Sequence, residues 1–243
     1  MIGIIVNVLS VALGGLAGAL FGHKLSADFT EKLNSIFGIC AMGMGISSII
    51  LMENMPAVIL AVVLGTSIGL LLHLGQAIAR GAGLLEKPFV RLFGSRTSGS
   101  MSRAEYLSLL VTAIVLFCTS GTGIYGSLDA GMTGNVTILL SKSVLDFFTA
   151  VVFACSLGAV VSAIAVPQFI IFLCLYMAAE AIFPLTTPVM IADFKACGGF
   201  LLIATGLRIS KIRDFPIADM IPAMVLVMPL SALWVNFIVP LLG

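Results

Sequence analysis

The chain has 243 residues, of which 60% are hydrophobic and 9% charged, against the ~25% charge typical of a soluble domain. Mean hydropathy is +1.21, so the composition is that of a polytopic membrane protein, an all-α transmembrane bundle with membrane lipid as its surroundings. A net charge of +1 leaves no basic surplus to meet a nucleic-acid backbone, and the sequence contains neither a dinucleotide fingerprint nor a P-loop.

A span needs ~20 mostly apolar residues. Eight candidates follow in chain order: 3–22, 34–52, 56–78, 104–120, 137–163, 167–184, 195–209 and 216–241. Several are short, so the expected range is six to eight. The first run opens at Met1 without a basic leader region, which reads as a retained helix and not a cleaved signal. Its glycines Gly14, Gly18 and Gly22 fall four apart on one face. That spacing lets helices approach closely and suits either a contact within the chain or the seam of a homodimer. Asn7 in the same helix is costly in lipid and is expected to bridge to a neighbouring helix.

Assigning connections alternately to two sides places Lys24, Lys32, Arg80, Lys87, Arg91, Arg96, Arg103, Arg208, Lys211 and Arg213 on one side. The other receives Glu53, Asp129, Asp193 and at most Lys195. Lys and Arg mark cytoplasmic loops, so both termini are expected outside the inner (plasma) membrane of a bacterium. The longest polar connection, 79–103, divides the chain as a basic cytoplasmic linker. Its GAGLLEKPFVRLFG portion reads as a short interfacial amphipathic helix or a plain hinge.

Across that linker runs an echo. Gly38, Gly45, Glu53 and Pro56 are spaced 7, 8 and 3, while Gly199, Gly206, Asp214 and Pro216 are spaced 7, 8 and 2, an offset of 161. The same offset lays the first span over the sixth and reverses its direction. Inverted repeats of this kind are typical of secondary transporters, whose sites lie on interrupted helices near midplane. The expected organisation is therefore a three-helix unit at 1–78, the linker, a central pair at 104–163, and a second three-helix unit at 164–243.

The central stretch from Phe117 to Asp146 is what hydrophobicity leaves unexplained. It holds glycines at 121, 123, 126, 131 and 134 together with Asp129, Lys142 and Asp146. Non-helical backbone survives at membrane depth only when buried in protein or lining a wet cavity. In CTSGTGIYG, Gly121 and Gly123 permit open backbone, and Ser120 and Thr122 supply hydroxyls beside Tyr125 and Ser127. A helical turn restarting near Gly123 would present free N–H groups to an anion or zwitterion, whereas freed carbonyls with Asp146 would suit a cation. On the fifth span Lys142, Asp146, Thr149 and Ser156 share a face with Ser143 beside it, and Glu105, Ser108, Thr112 and Thr119 form a matching stripe on the fourth. A charge near the bilayer centre costs a few kcal/mol, roughly 2.5–3.5 on the insertion scale, so Lys142 and Asp146 should neutralise each other, as a structural pair or as part of a substrate site. Glu180, a lone acid near the outer end of the sixth span, suits proton coupling or a snorkel to the surface.

No metal or cofactor is expected. The five cysteines, Cys40, Cys118, Cys155, Cys174 and Cys197, lie singly in apolar runs as packing residues, and His23 and His73 have no second ligand at metal spacing. No catalytic motif is present, so an enzyme is not expected.

The segments MIGIIVNVLSVALGGLAGALFG, FCTSGTGIYGSLDAGMTGN with LLSKSVLDFF, and ACGGFLLIATGLRISKIRDFPIADMIPA resemble the bacterial YqgA/YdfK-type integral membrane proteins, a family of uncharacterised function. The resemblance runs nearly end to end. It implies a bacterial inner-membrane protein and no catalytic residues. The residues themselves point to a transporter or channel-like protein for a small ion or polar solute. The alternative is a non-transporting scaffold or sensor that holds a partner through its helix faces and basic loop.

Overall fold

The computed structural model describes residues 1–21, 27–78, 80–81 and 103–242. Gly22, His23, Lys24 and nearly all of the 79–103 linker lie outside them, and with them the linker's expected interfacial helix. The helices are α1 (Ile2–Phe21), α2 (Ala27–Ile49), α3 (Met55–Leu71), α4 (Arg103–Thr119), α5 (Gly121–Thr133), α6 (Thr137–Leu157), α7 (Val160–Ala163), α8 (Ala165–Ile182), α9 (Pro188–Ile209), α10 (Ile221–Leu233) and α11 (Val239–Leu242). No strand occurs among the described residues. Among the described residues five stretches are long and apolar enough to cross a bilayer: Ile2–Phe21, Thr137–Leu157, Val160–Leu185, Pro188–Ile209 and Ile217–Leu241, with shorter apolar helices at Ser35–Ile49 and Met55–Leu71. The fold is an all-α transmembrane bundle. Apolar side chains such as Leu9, Leu13, Val63 and Ile170 point outward, as lipid requires and water would not permit.

The chain forms two compact units, each drawn from both ends of the sequence. One comprises Met1–Asn34 and Gln76–Ala179, the other Ser35–Gly75 and Glu180–Gly243.

In the first unit α1 runs parallel to α6. A Cβ on Gly14 would strike the Phe147 carbonyl, and one on Gly18 the Val151 carbonyl. Gly14 and Gly18 are thus covered within the chain, the first of the two alternatives for that face; Gly22 lies outside the described residues. Ser162 at the start of the turn into α8 donates to the Ala12 carbonyl at 2.8 Å, pinning α7 to the same helix. The α5 helix runs antiparallel to α6, with Gly123 beside Lys142 and Gly126 beside Leu139, and parallel to α8, with Gly123 against Phe172 and Gly131 against Tyr176 and Ala179. It follows that α1 and α8, the 161-offset partners, run in opposite directions.

In the second unit α2 and α9 cross antiparallel through glycines that serve each other. A Cβ on Gly38 would lie 2.5 Å from the Gly206 carbonyl and one on Gly206 2.5 Å from the Gly38 carbonyl; Gly45 and Gly199 stand in the same relation at 2.7 and 2.6 Å. Gly38 shifted forward by 161 becomes Gly199 and Gly206 shifted back by 161 becomes Gly45, so one contact returns the other, the signature of a two-fold relation between the helices. The α3 helix packs antiparallel on α10, where Gly65 meets the Ala223 backbone and Gly69 the Asp219 carbonyl. Every pair of repeat helices is antiparallel, so the repeat is inverted.

The glycine-rich stretch is not open backbone. Gly121, Gly123, Gly126 and Gly131 all lie inside the regular helix α5, where their missing side chains admit neighbouring helices. The break expected over several residues narrows to Ser120, extended at φ −63° and ψ 145°, and to Gly134, which ends α5 in the left-handed region at φ 72°. Asp129, expected in an outer connection, is 1% exposed inside α5, and Asp193, likewise expected in a turn, is fully buried in α9.

Candidate functional site

Asn7, Ser120, Thr122, Lys142, Asp146 and Gln168, all buried in the first unit, converge where α4 stops and α5 begins. Ser120 starts α5 as an N-cap: its Oγ accepts from the Gly123 N–H at 3.3 Å and from the Thr122 hydroxyl at 3.2 Å. Such a cap satisfies an orphan donor of the first turn and leaves others free. On the other side of the break, Phe117 lies in the last turn of α4, whose carbonyls have no helical partner further along. Tyr106 at the far end of α4 reaches the Leu157 carbonyl at 3.4 Å, and Phe117 meets the ring of Phe153. Thus α4 and α5 both run antiparallel along α6–α7, as one helix interrupted at Ser120.

Opposite the break is the Lys142 and Asp146 pair, one turn apart on α6. The Lys142 Nζ lies 2.8 Å from Asp146 Oδ1 and 2.7 Å from Oδ2, gripping both oxygens. Their side chains are 2% and 10% exposed, which removes the water that makes surface pairs weak. Asn7 on α1 donates through Nδ2 to Asp146 Oδ2 at 2.9 Å. Gln168 on α8 donates through Nε2 to Asn7 Oδ1 at 2.9 Å, and the same nitrogen lies 3.3 Å from Asp146 Oδ2 and from the Phe117 carbonyl. Three helices, α1, α6 and α8, therefore meet on one carboxylate, and the Phe117 carbonyl of α4 joins them through Gln168. Asn7 and Gln168 are 161 residues apart, so equivalent residues of the inverted repeat touch each other, which happens only beside the axis that relates them.

Phe172 closes one wall. Its ring fills the space a Gly123 side chain would take, the Lys142 Cε stands 3.2 Å from that same position, and the Lys142 Nζ is 6.0 Å from the ring centre. Gly123 is needed because phenylalanine and lysine both approach its backbone.

Of the residues singled out in the sequence, Ser120, Thr122, Tyr125, Ser127, Lys142, Ser143, Asp146 and Asn7 are all buried in this unit, and Gly121 and Gly123 open α5. Ser143 turns back onto its own helix, donating to the Leu139 carbonyl at 2.7 Å. The Oγ of Ser127, one turn beyond Gly123, is buried without a hydrogen-bond partner. Glu180 is exposed, the surface position that was the alternative to proton coupling. Of the stripe on α4, Thr112 is exposed, and the buried face of that helix includes Tyr106, Leu110, Ala113, Ile114, Phe117 and Cys118; Glu105, Ser108 and Thr119 are not among the residues whose side chains are described.

Gln168 was missed. An amide in an apolar span, at the repeat offset from Asn7, was a signal present in the sequence. Asp193 in the second unit was misplaced for a different reason. Its carboxylate accepts the backbone N–H groups of Glu53 and Asn54 at 3.0 and 2.8 Å, the Asn54 side chain at 3.0 Å and the Ser231 hydroxyl at 2.6 Å. It thereby holds the start of α3. Among the described residues no group of three or more His, Cys, Asp or Glu side chains is placed to hold a metal.

The chain is 45% identical over 234 residues to an uncharacterised protein of Escherichia coli, YqgA, covering 96% of this chain and 97% of that one. It is 26% identical over 226 residues to YdfK of Bacillus subtilis, described as an uncharacterised membrane protein, covering 93% of each. No solved structure matches. Residues 2–232 match the family described as "Protein of unknown function (DUF554)", and the chain, a membrane protein by its helices and by its kin, belongs to that family.

Proposed function

We propose that the chain is a multi-pass transport protein of the bacterial inner membrane, with both termini outside, that carries a small ion or polar solute and catalyses no covalent chemistry. The observation that supports this most is the Lys142 and Asp146 pair facing the interruption between α4 and α5. Replacing a buried ion pair with apolar side chains is often neutral or stabilising, so cohesion alone is a weak reason to keep one in lipid. Its surroundings are those of a transport site: an interrupted helix, equivalent residues of an inverted repeat in contact, and a carboxylate shared among three helices. The site comprises Lys142 and Asp146 with Ser120, Gly121, Thr122, Gly123, Tyr125, Ser127 and Ser143, bridged by Asn7 and Gln168. In the conformation described, the charges satisfy each other, which is the closed form of such a site.

The test is flux. Purified protein in liposomes, offered a panel of small ions and polar solutes, is expected to move at least one of them. Asp146→Asn and Lys142→Met should each stop that movement while the helical content stays native. Native flux in both variants would remove the assigned site.

A further inference from the structure

The proposed site leaves the charge of its cargo open, and the oxygens around Asp146 decide it. The Gln168 amide nitrogen sits at a point ringed by Asn7 Oδ1 at 2.9 Å, the Phe117 carbonyl at 3.3 Å and Asp146 Oδ2 at 3.3 Å. An amide has two N–H bonds and cannot serve three acceptors well. The Gln168 Oε1, on the same amide, is buried with no hydrogen-bond partner in a residue that is 0% exposed. A buried acceptor without a donor costs about 1–3 kcal/mol, and here it adjoins a cluster already rich in acceptors. Oxygens from α1, α4 and α6 thus surround one amide nitrogen of α8, and the positive charge beside Asp146 is the Lys142 ammonium lying across both its oxygens.

We infer that this oxygen cluster binds a small monovalent alkali cation, sodium being the probe, with Asp146, Asn7 Oδ1, the Phe117 carbonyl and Gln168 Oε1 as ligands and Lys142 as a tethered competitor. The inference rests on the proposed function for the place of the site and adds the class of ion. Hard cations take oxygen ligands at ~2.3–2.6 Å, so the ion takes the place of the Gln168 amide nitrogen, the amide turning to present Oε1 while the surrounding oxygens close in. The donors are of the kind that interrupted membrane helices use for sodium: a carbonyl from the C-terminal end of a half-helix beside a carboxylate. A single carboxylate among neutral oxygens matches a single positive charge, which the ammonium supplies now. When the ion enters, Lys142 releases Asp146, and its Cε already stands beside the Gly123 backbone at the first turn of α5. No covalent bond changes.

The experiment is equilibrium binding of radioactive sodium to the purified full chain in detergent, at constant ionic strength held with choline chloride. Saturable binding that excess sodium chloride displaces and choline does not is expected. Lys142→Met, which removes the competitor and leaves Asp146 in need of a cation, should tighten it by about tenfold or more. Asp146→Asn should abolish it, and Gln168→Leu should weaken it. If Asp146→Asn fails to fold, the direction of the Lys142→Met change still decides. Absence of saturable sodium binding in both the native chain and Lys142→Met overturns the inference, as does unchanged or weaker affinity in Lys142→Met. Solute flux without sodium binding overturns it while leaving the transport reading standing, and sodium binding without flux upholds it while removing that reading.

Discussion

Two buried carboxylates, one in each unit, are held in opposite ways. Asp193 accepts two backbone N–H groups from the chain entering α3 on one oxygen, and the Asn54 amide and Ser231 hydroxyl on the other, so main chain fixes one side of the carboxylate. Asp146 accepts only from side chains, those of Lys142, Asn7 and Gln168. Backbone donors at a helix start cannot move without unwinding it, and their partial positive charge favours the anion in place. Side-chain donors swing through rotamers at modest cost. A carboxylate of the first kind anchors a fold, whereas one of the second kind can exchange its partner.

The contrast is open to breakage. The largest stability loss is expected at the anchor: Asp193→Ala leaves the buried Ser231 hydroxyl without its acceptor, at about 1–3 kcal/mol, and takes the cap-like acceptor from the less buried N–H groups of Glu53 and Asn54, so thermal unfolding in detergent should show a total of about 3 kcal/mol. If Asp193→Ala proves milder than Asp146→Asn by the same measurement, the assignment of anchor and exchangeable site is reversed. Next comes packing. Gly206→Ala places a methyl 2.5 Å from the Gly38 carbonyl and from the Met42 Cγ; overpacking of this kind costs about 1–3 kcal/mol, and a native melting temperature would show that the α2–α9 crossing is looser than described. Ser120→Ala removes the cap of α5 and should lower stability by about 1 kcal/mol, with a larger proportional effect on flux, because the cap lies at the interruption. The smallest effect belongs to the surface. Arg208 and Asp214 pair at 3.0 Å but are 36% and 81% exposed, so Asp214→Asn should change stability by less than about 1 kcal/mol and leave sodium binding unaltered.

Much of this arrangement was legible before any coordinates. The four-residue step from Lys142 to Asp146 meant one helical turn and a neutral pair, and the 161-residue offset of paired glycines meant antiparallel repeat helices. What misled was glycine itself. In water a run such as Gly121, Gly123 and Gly126 loosens a helix, but in lipid unsatisfied backbone costs so much that the helix persists and the glycines instead mark close approach, as Gly131 does against the Tyr176 carbonyl. The single extended residue at Ser120 was hidden inside that run. Gln168 and Asp193 were hidden by a different habit, that of judging a polar residue by its neighbours in sequence: their partners lie 161 and about 140 positions away, so no local window contains the reason they are there.

Asn7 and Gln168 occupy matching places but differ in length by one methylene, and Lys142 belongs to a helix outside the repeat. In a carrier of the kind proposed, two identical halves would exchange roles at equal free energy and rest open to either face with equal frequency. The longer amide and the unmatched ammonium tilt that balance, so the unloaded protein should favour one orientation, and an ion that relieves Asp146 of Lys142 would be the event that lets it turn.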